Sequence, residues 1–140
     1  MTINRDRLAT HLMGDEGISL KPYRCTDGRL TIGVGRNLDD KGISRTEAMA
    51  MLQSDIDDAI ADARAVVGNF DELNDVRQEV LANMALNLGR KRLAGFKKMI
   101  AAVAVLDFNE ASVQMLDSKW ASDVKGRAVR LARAMRSGIH

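Results

Sequence analysis

Apolar side chains recur every three or four residues through most of the chain, the spacing that places them on one face of an α-helix. The first such segment covers residues 3–13. Asn4 has the position and the side chain of an N-terminal helix cap, and Gly14 is the predicted end. The pattern therefore predicts a short first helix.

A second helix is predicted over about residues 44–67, roughly six turns of one apolar stripe. Ser44 and Glu47 have capping-box spacing at its start, and Gly68 follows its end. Four more helices are predicted from apolar stripes over residues 73–88, 96–106, 111–116 and 127–135, in a helical segment of about 71–138. The methionines in these stripes are interpreted as core residues, since Met fills irregular gaps between packed helices.

Residues 17–38 have a different pattern, which predicts a β-hairpin. Two short β-prone runs, 22–25 and 30–34, flank the pair Asp27-Gly28, and glycine accepts the positive φ of a tight turn. The fold class is therefore α+β. Its organisation is a small lobe over 14–43, a connecting helix over about 44–67, and a helical lobe over about 71–138 that includes the N-terminal helix 3–13.

Composition agrees with an ordinary folded domain: 140 residues, of which 46% are hydrophobic and 29% charged. One cysteine excludes an internal disulfide and any multi-cysteine metal site. No apolar run approaches the roughly 20 residues that span a membrane, and no apolar segment follows the N-terminus. We therefore expect synthesis in the cytoplasm, without a signal peptide or a transmembrane segment.

Charge is distributed unevenly along the chain. Residues 39–79 carry 4 Lys and Arg against 11 Asp and Glu, whereas residues 80–140 carry 11 against 4. One interpretation is a set of solvated helix faces. The other is a basic lobe that attracts a polyanion.

The densest group of chemically competent residues runs from Asp15 to Gly35. Glu16 lies at a helix end, where the helix dipole and apolar neighbours disfavour a negative charge. A carboxyl group that stays protonated is what general-acid cleavage of a glycosidic bond requires. The alternative is an ordinary surface carboxylate.

Within this segment a set of residues recurs at defined spacing: Glu16, Gly17, Leu20, Tyr23, Gly28, Thr31, Ile32, Gly33 and Gly35. This spacing resembles the active-site signature of the phage-type lysozymes, glycoside hydrolase family 24, to which the lysozymes of T-even phages belong. Further matches extend the resemblance over about residues 10–138: Ser44, Glu47, Asn83, Asn87, Gly89, 94–96, Ser118, Trp120, 126–130, Arg136 and Gly138.

The resemblance implies a lysozyme-like fold and a muramidase that hydrolyses the β-1,4 bond between N-acetylmuramic acid and N-acetylglucosamine. It implies that Glu16 is the general acid and that Thr31 holds the attacking water. It also implies that Arg127 neighbours Glu16, that Asp15 and Arg130 form an ion pair, and that Trp120 and Asn87 form a packed polar contact. Tyr23, Gly33 and Gly35 are implied to contact the sugar chain.

Two positions and one segment depart from the family pattern, the segment between the hairpin and Ser44 being shorter than in the T-even phage lysozymes. Cys25 stands where many relatives carry a catalytic Asp, and Arg36 stands where relatives often carry His, so a His-centred ion pair is absent. Cys25 has two interpretations: a base or nucleophile, favoured if Arg24 or Arg29 points at the thiol, or a small buried apolar residue. Asp27 is a substitute base, ranked lower because it lies in the predicted turn.

The implied role is that of an endolysin, whose partners are peptidoglycan and a holin-type pore through which the protein passes from the host cytoplasm to the periplasm and cell wall. We expect a monomer that needs no cofactor, no metal and no nucleic acid. Two alternatives stay open: a lytic transglycosylase that also uses Glu16, and a non-catalytic relative that binds the cell wall.

Overall fold

The structure, a computed structural model, describes residues 2–140. The chain divides into two compact units, one ending at Ala50 and the other running from Met51 to His140. The first unit contains helix α1 (Arg5–Glu16), strands β1 (Ser19–Arg24), β2 (Leu30–Gly33) and β3 (Arg36–Asn37), and the start of helix α2 (Arg45–Val66). The α+β fold class is confirmed. The lobe boundaries, and the assignment of the first helix to the helical lobe, stay predictions.

Helix α1 begins as predicted and ends later than predicted. The side chain of Asn4 accepts a hydrogen bond from the backbone N–H of Arg7 at 2.9 Å, which confirms it as the cap. The predicted end at Gly14 is wrong, because the helix runs through Gly14 to Glu16. It stops at Gly17, whose φ of 74° lies in a region that L side chains rarely adopt. Glu16 therefore occupies the last helical position.

The three strands form one antiparallel sheet in the order β1-β2-β3. The predicted hairpin between β1 and β2 is confirmed, and Gly28 in its turn has a φ of 84°. Pro22, which has no N–H to donate, lies in the edge strand β1, where the register is irregular between Ser19 and Tyr23. Strand β3 is only two residues long, and the sequence did not predict it.

Helix α2 begins with the predicted capping box. The backbone N–H of Ser44 donates to Oε1 of Glu47 at 2.9 Å, and the N–H of Glu47 donates to Oγ of Ser44 at 3.1 Å. The two carboxylate oxygens of Glu47 also accept hydrogen bonds from both terminal nitrogens of Arg36, each at 2.6 Å. The His-centred pair is thus replaced by a bidentate Arg–carboxylate pair, which ties β3 to the first turn of α2.

The second unit is helical. After the end of α2 and a 3₁₀ turn (Phe70–Glu72) come helices α3 (Asp75–Leu88), α4 (Arg90–Ala94), α5 (Lys97–Ala104), α6 (Phe108–Leu116), α7 (Lys119–Val124) and α8 (Gly126–Ser137). The short helices α4 and α7 were not predicted as separate elements. Four methionines lie fully buried in the core, as interpreted: Met84, Met99, Met115 and Met135. The same interpretation is wrong for Met51 of α2, which is 55% exposed because it lies on the solvent side of that helix.

The end of α8 is held against α3 by polar side chains. The guanidinium of Arg77 donates to the carbonyls of Met135 at 2.7 Å and Arg136 at 3.0 Å, and Nδ2 of Asn74 donates to the carbonyl of Gly138 at 3.0 Å. The Arg77 guanidinium also lies 3.6 Å from the centre of the Phe108 ring. These donors satisfy carbonyls that a helix end leaves without partners.

Among residues 2–140, no helix combines the length and the apolar character needed to cross a membrane.

Candidate active site

Glu16 and Gly35 approach each other closely in the first unit. Glu16 is the last residue of α1, and Gly35 lies in the turn between β2 and β3 with a φ of 66°. A β-carbon at residue 35 would lie 2.8 Å from Oε2 of Glu16, closer than real β-carbons come to other atoms, and 3.0 Å from its Cδ. The carboxyl group therefore occupies the space that any larger residue at position 35 would need.

The closed end of the β1–β2 hairpin carries a second group of polar side chains. The backbone carbonyl of Arg29 accepts two hydrogen bonds, from the N–H of Cys25 at 3.0 Å and from Oγ1 of Thr31 at 2.9 Å. The backbone N–H of Arg29 donates to Oδ1 of Asp27 at 3.1 Å. The thiol of Cys25 donates to the same carboxylate oxygen. The backbone of one residue thus links Cys25, Asp27 and Thr31.

The two arginines of the hairpin end bind partners other than the Cys25 thiol. The guanidinium of Arg24 donates to the carbonyl of Gly28 at 3.0 Å, and the guanidinium of Arg29 pairs with Asp40. Neither is hydrogen-bonded to the Cys25 thiol, so the sequence-based idea that one of them points at the sulfur is not supported. The hydrogen bond from the Cys25 thiol, followed by the one from the Arg29 N–H, lowers the pKa of the Asp27 carboxyl below its ordinary value. Asp27 is therefore an anion at neutral pH.

Thr31 lies at the centre of the sheet, opposite Tyr23 on β1 and opposite Asn37 on β3. Directly paired residues of antiparallel strands project on the same face, so these three side chains share one face of the sheet. Thr31 is buried, with 4% of its surface exposed, whereas Tyr23 is 38% exposed. Gly33, at the end of β2, is paired with Ser19. Contact of Tyr23, Gly33 and Gly35 with sugar stays a prediction.

In the second unit, Arg127 is held by α3. Its Nε and Nη2 donate to Oδ1 of Asn83 at 3.0 and 2.6 Å. Arg127 also lines a groove of about 650 Å³ whose wall includes Leu52 and Ile56 of α2. Arg130 lies one helical turn further on and is exposed. The pairing of Arg127 with Glu16 and of Arg130 with Asp15 stays a prediction.

The predicted contact between Trp120 and Asn87 is confirmed. Nε1 of the buried Trp120 donates to Oδ1 of Asn87 at 2.8 Å, and the Trp ring packs edge-to-face on Phe96, with 6.0 Å between ring centres. This is a packed polar contact in the core of the second unit. Within the described part of the chain, no three His, Cys, Asp or Glu side chains come together as metal ligands.

Comparison with known families shows where these residues belong. The family model described as phage lysozyme matches residues 14–136, nearly the whole chain. The chain belongs to the phage lysozyme family. The matched range contains Glu16, Cys25, Thr31 and Arg127, so all four lie inside the family segment.

Curated relatives fall into two kinds. The chain is 28% identical to the pre-baseplate central spike protein Gp5 of Enterobacteria phage T4, with 94% of this chain but only 28% of that protein aligned. It is 23% identical to probable T4-type lysozyme 2 of Dictyostelium discoideum, with 89% of this chain and 90% of that protein aligned, and the same figures hold for probable T4-type lysozyme 1 of that organism. The chain thus spans less than a third of the spike protein and most of the two lysozymes.

The contact between Cys25 and Asp27 is a feature of the hairpin that sequence reasoning did not predict. Asp27 was set behind Cys25 because it lies in the turn, yet its carboxylate accepts the thiol hydrogen bond. The Asp-Gly pair of the hairpin turn was the available signal: an Asp there can bend back to accept from the residue two positions on. The same bend brings it within reach of the thiol.

Proposed function

We propose that this protein is a muramidase that hydrolyses the β-1,4 bond between N-acetylmuramic acid and N-acetylglucosamine in peptidoglycan. The observation that carries the proposal is the Glu16 carboxyl group at the end of α1, packed against Gly35 in a chain of the phage lysozyme family. A positioned carboxyl group of this kind can act as a general acid for cleavage of a glycosidic bond. The names of the two Dictyostelium relatives point in the same direction.

In the proposed reaction, Glu16 protonates the oxygen of the departing sugar while water attacks the anomeric carbon. Thr31 helps to hold that water, and Cys25 takes the position at which many relatives carry a carboxylate. Tyr23, Gly33 and Gly35 contact the sugar chain. Arg127 serves as the cation beside Glu16, and Asp15 and Arg130 form a structural pair. The glycosidic bond breaks with the proton of Glu16 on the leaving oxygen.

The biological role we propose is that of an endolysin. Its substrate is peptidoglycan, and it reaches the wall from the host cytoplasm through a holin-type pore. The basic segment 80–140 supports association with an anionic wall, since opposite charges raise the rate of encounter. The protein acts as a monomer in this proposal.

The experiment that tests the proposal compares lysis of purified cell walls by the wild type and by Glu16→Gln. Gln keeps the size of the side chain but has no carboxyl proton to donate, so lysis should fall by roughly 10²–10⁴-fold. Asp6→Asn, which removes an exposed carboxylate from the same helix, is the matched control and should retain lysis. Unchanged lysis by Glu16→Gln contradicts the proposal, and 1,6-anhydro ends instead of reducing ends among the products indicate a transglycosylase.

A further inference from the structure

The thiol of Cys25 and the carboxylate of Asp27 form a hydrogen-bonded pair at the closed end of the β1–β2 hairpin. The thiol is the donor, so the proton lies on sulfur and the negative charge lies on Asp27. Cys25 is partly buried and Asp27 is exposed, so the charge is on the solvent side of the pair. The carboxylate is held in place independently, because its Oδ1 also accepts the N–H of Arg29 at 3.1 Å.

This arrangement bears on the replacement of the family's Asp by Cys25. A free thiol is mostly protonated at neutral pH and carries no charge, so it cannot by itself supply the negative charge of the missing carboxylate. Asp27 is ionised at that pH and is in direct contact with the thiol. Together the two side chains carry one negative charge, as a single Asp at position 25 would.

We propose that Asp27 is a positioning residue for the glycosidase reaction, which orients the Cys25 thiol and accepts its proton when water attacks. This inference rests on the proposed function and deepens it. Asp27 acts through Cys25 and does not touch the sugar. The shared carbonyl of Arg29, which accepts from both the Cys25 N–H and the Thr31 hydroxyl, fixes the backbone of Cys25 relative to the residue proposed to hold the water.

Bonds and protons balance in the proposed hydrolysis. Water oxygen forms a bond to the anomeric carbon, and the glycosidic carbon–oxygen bond breaks. The leaving oxygen takes the proton of Glu16. The attacking water gives a proton to Sγ of Cys25 as the thiol proton passes to Oδ1 of Asp27. One proton has left Glu16 and one has reached Asp27, and exchange with solvent restores both groups.

The charged groups near the pair do not replace Asp27 in this role. Arg24 is hydrogen-bonded to the Gly28 carbonyl, and Arg29 is paired with Asp40. Asp39, a third carboxylate of this region beside Asp27 and Asp40, accepts the N–H of Leu30 at 2.8 Å. Among the described residues, Asp27 is the carboxylate hydrogen-bonded to the thiol.

The variant Asp27→Asn tests the proposal because it removes the charge and keeps the turn. The Oδ1 of Asn still accepts the Arg29 N–H, so the hairpin should fold as before, which thermal unfolding followed by circular dichroism checks. On purified walls we expect kcat to fall by about 10²-fold or more, the lower range for acid–base groups, with KM little changed. Asp40→Asn, which removes a neighbouring carboxylate, should retain kcat.

A second measurement, the alkylation rate of Cys25, tests the contact between Cys25 and Asp27 in the absence of substrate. The Cys25 thiol donates its proton in a hydrogen bond to Asp27, whereas alkylating agents react with the deprotonated sulfur. Iodoacetamide should therefore label Cys25 severalfold faster in Asp27→Asn than in the wild type at neutral pH. An unchanged labelling rate overturns the proposed contact, even if the protein proves not to be a muramidase.

Rescue separates a chemical role of Asp27 from a structural one. Cys25→Asp should restore kcat in the Asp27→Asn background, because it returns a carboxylate to the position that the family uses. Wild-type kcat in Asp27→Asn, or loss of kcat that Cys25→Asp does not restore, overturns the proposal. Asp27→Ser, which keeps an oxygen acceptor for the turn, is the second variant if Asn disturbs folding, and the same outcomes apply to it. Failure of the proposed function is a separate outcome. It would be shown by a Glu16→Gln variant that lyses walls as the wild type does.

Discussion

The carboxyl group of Glu16, the general acid of the proposed reaction, lies where a β-carbon of residue 35 would be, so its position depends on the absence of a side chain at Gly35. A β-carbon at position 35 would lie 2.8 Å from Oε2 and 3.1 Å from Cγ of Glu16. The added β-carbon would therefore meet the Glu16 side chain from its carboxyl group to its Cγ, and the side chain would have to move.

Gly35→Ala should lower kcat for wall hydrolysis by about 10²-fold, because displacing a reacting group by about 1 Å can cost that much. The added methyl group must push the Glu16 carboxyl group away. Initial rates of wall lysis by the purified variant measure the effect.

Gly42→Ala is the matched control for Gly35→Ala. Gly42 also has a positive φ, 62°, but a β-carbon there meets its nearest heavy atom at an ordinary 3.9 Å. Both variants should lose about 1–2 kcal/mol of unfolding free energy from backbone strain. Only Gly35→Ala should lose kcat, and equal activity of the two variants would show that the contact with Glu16 does not matter.

The pair of Arg36 and Glu47 should make folding stability depend on pH in the acid range. The Arg36 guanidinium, followed by the hydrogen bonds from Ser44, lowers the pKa of Glu47 from 4.5 to about 2. The unfolded chain therefore takes up a proton at a higher pH than the folded protein does. This contribution to stability is complete above pH 4.5 and is lost as pH falls toward 2.

Glu47→Gln should accordingly flatten the fall in unfolding free energy between pH 4.5 and 2, measured by urea unfolding. Asp58→Asn, on the same helix and without an ion pair to any described residue, is the control. The interpretation fails if both variants give the acid slope of the wild type.

Arg77→Met should destabilise the second unit. It removes the two hydrogen bonds from the guanidinium to the carbonyls of Met135 and Arg136, and leaving such carbonyls without a donor costs about 1–3 kcal/mol. Urea unfolding measures the loss. Arg133→Met, at an exposed position of α8, should change stability by less than about 0.5 kcal/mol. If both variants lost a similar amount of unfolding free energy, the loss would result from removal of a positive charge and not from the carbonyl contacts.

Lysis of whole walls should be more sensitive to salt than cleavage of a short neutral chitin-like oligomer. Four cations line a groove of about 540 Å³ in the second unit, with one carboxylate, Asp117, among them: Arg92, Lys97, Lys98 and Lys119. Raising the salt from 0.1 to 1 M shortens the Debye length from about 10 to about 3 Å, which weakens attraction to an anionic wall. Rates on the two substrates across a salt series provide the measurement. Equal sensitivity of both would show that the basic residues do not assist association with the wall.

Local patterns predicted most of the secondary structure but missed the end of α1 and strand β3. The caps at Asn4 and Ser44 and the Asp-Gly turn depend on atoms a few residues apart, which the sequence displays directly. The end of α1 was misplaced because the sequence does not distinguish Gly14 from Gly17 as a helix terminator. In the structure only Gly17 has the positive φ that ends the helix. Strand β3 has two residues, too few to show an alternation.

In the candidate site, too, some features were predicted from the sequence and others were missed. The positions of Glu16 and Cys25 came from spacing within a family pattern. The contact of Glu16 with Gly35, 19 positions further along the chain, depends on how the sheet folds back, and no local pattern encodes that. The pair of Arg36 and Glu47 was missed for the same reason: the sequence showed the loss of a His but not the partner that the replacing residue would find.

Arg29 holds Cys25, Asp27 and Thr31 through its backbone alone, since its N–H and its carbonyl make all three contacts. Its own side chain points to Asp40 in an exposed ion pair, of a kind worth about 0–1 kcal/mol. Other side chains at residue 29 would therefore preserve these three hydrogen bonds. Proline would not, because it lacks the N–H that donates to Asp27. Because the side chain takes no part in these bonds, a spectroscopic label attached at residue 29 would report on the site without altering the bonds that hold it together.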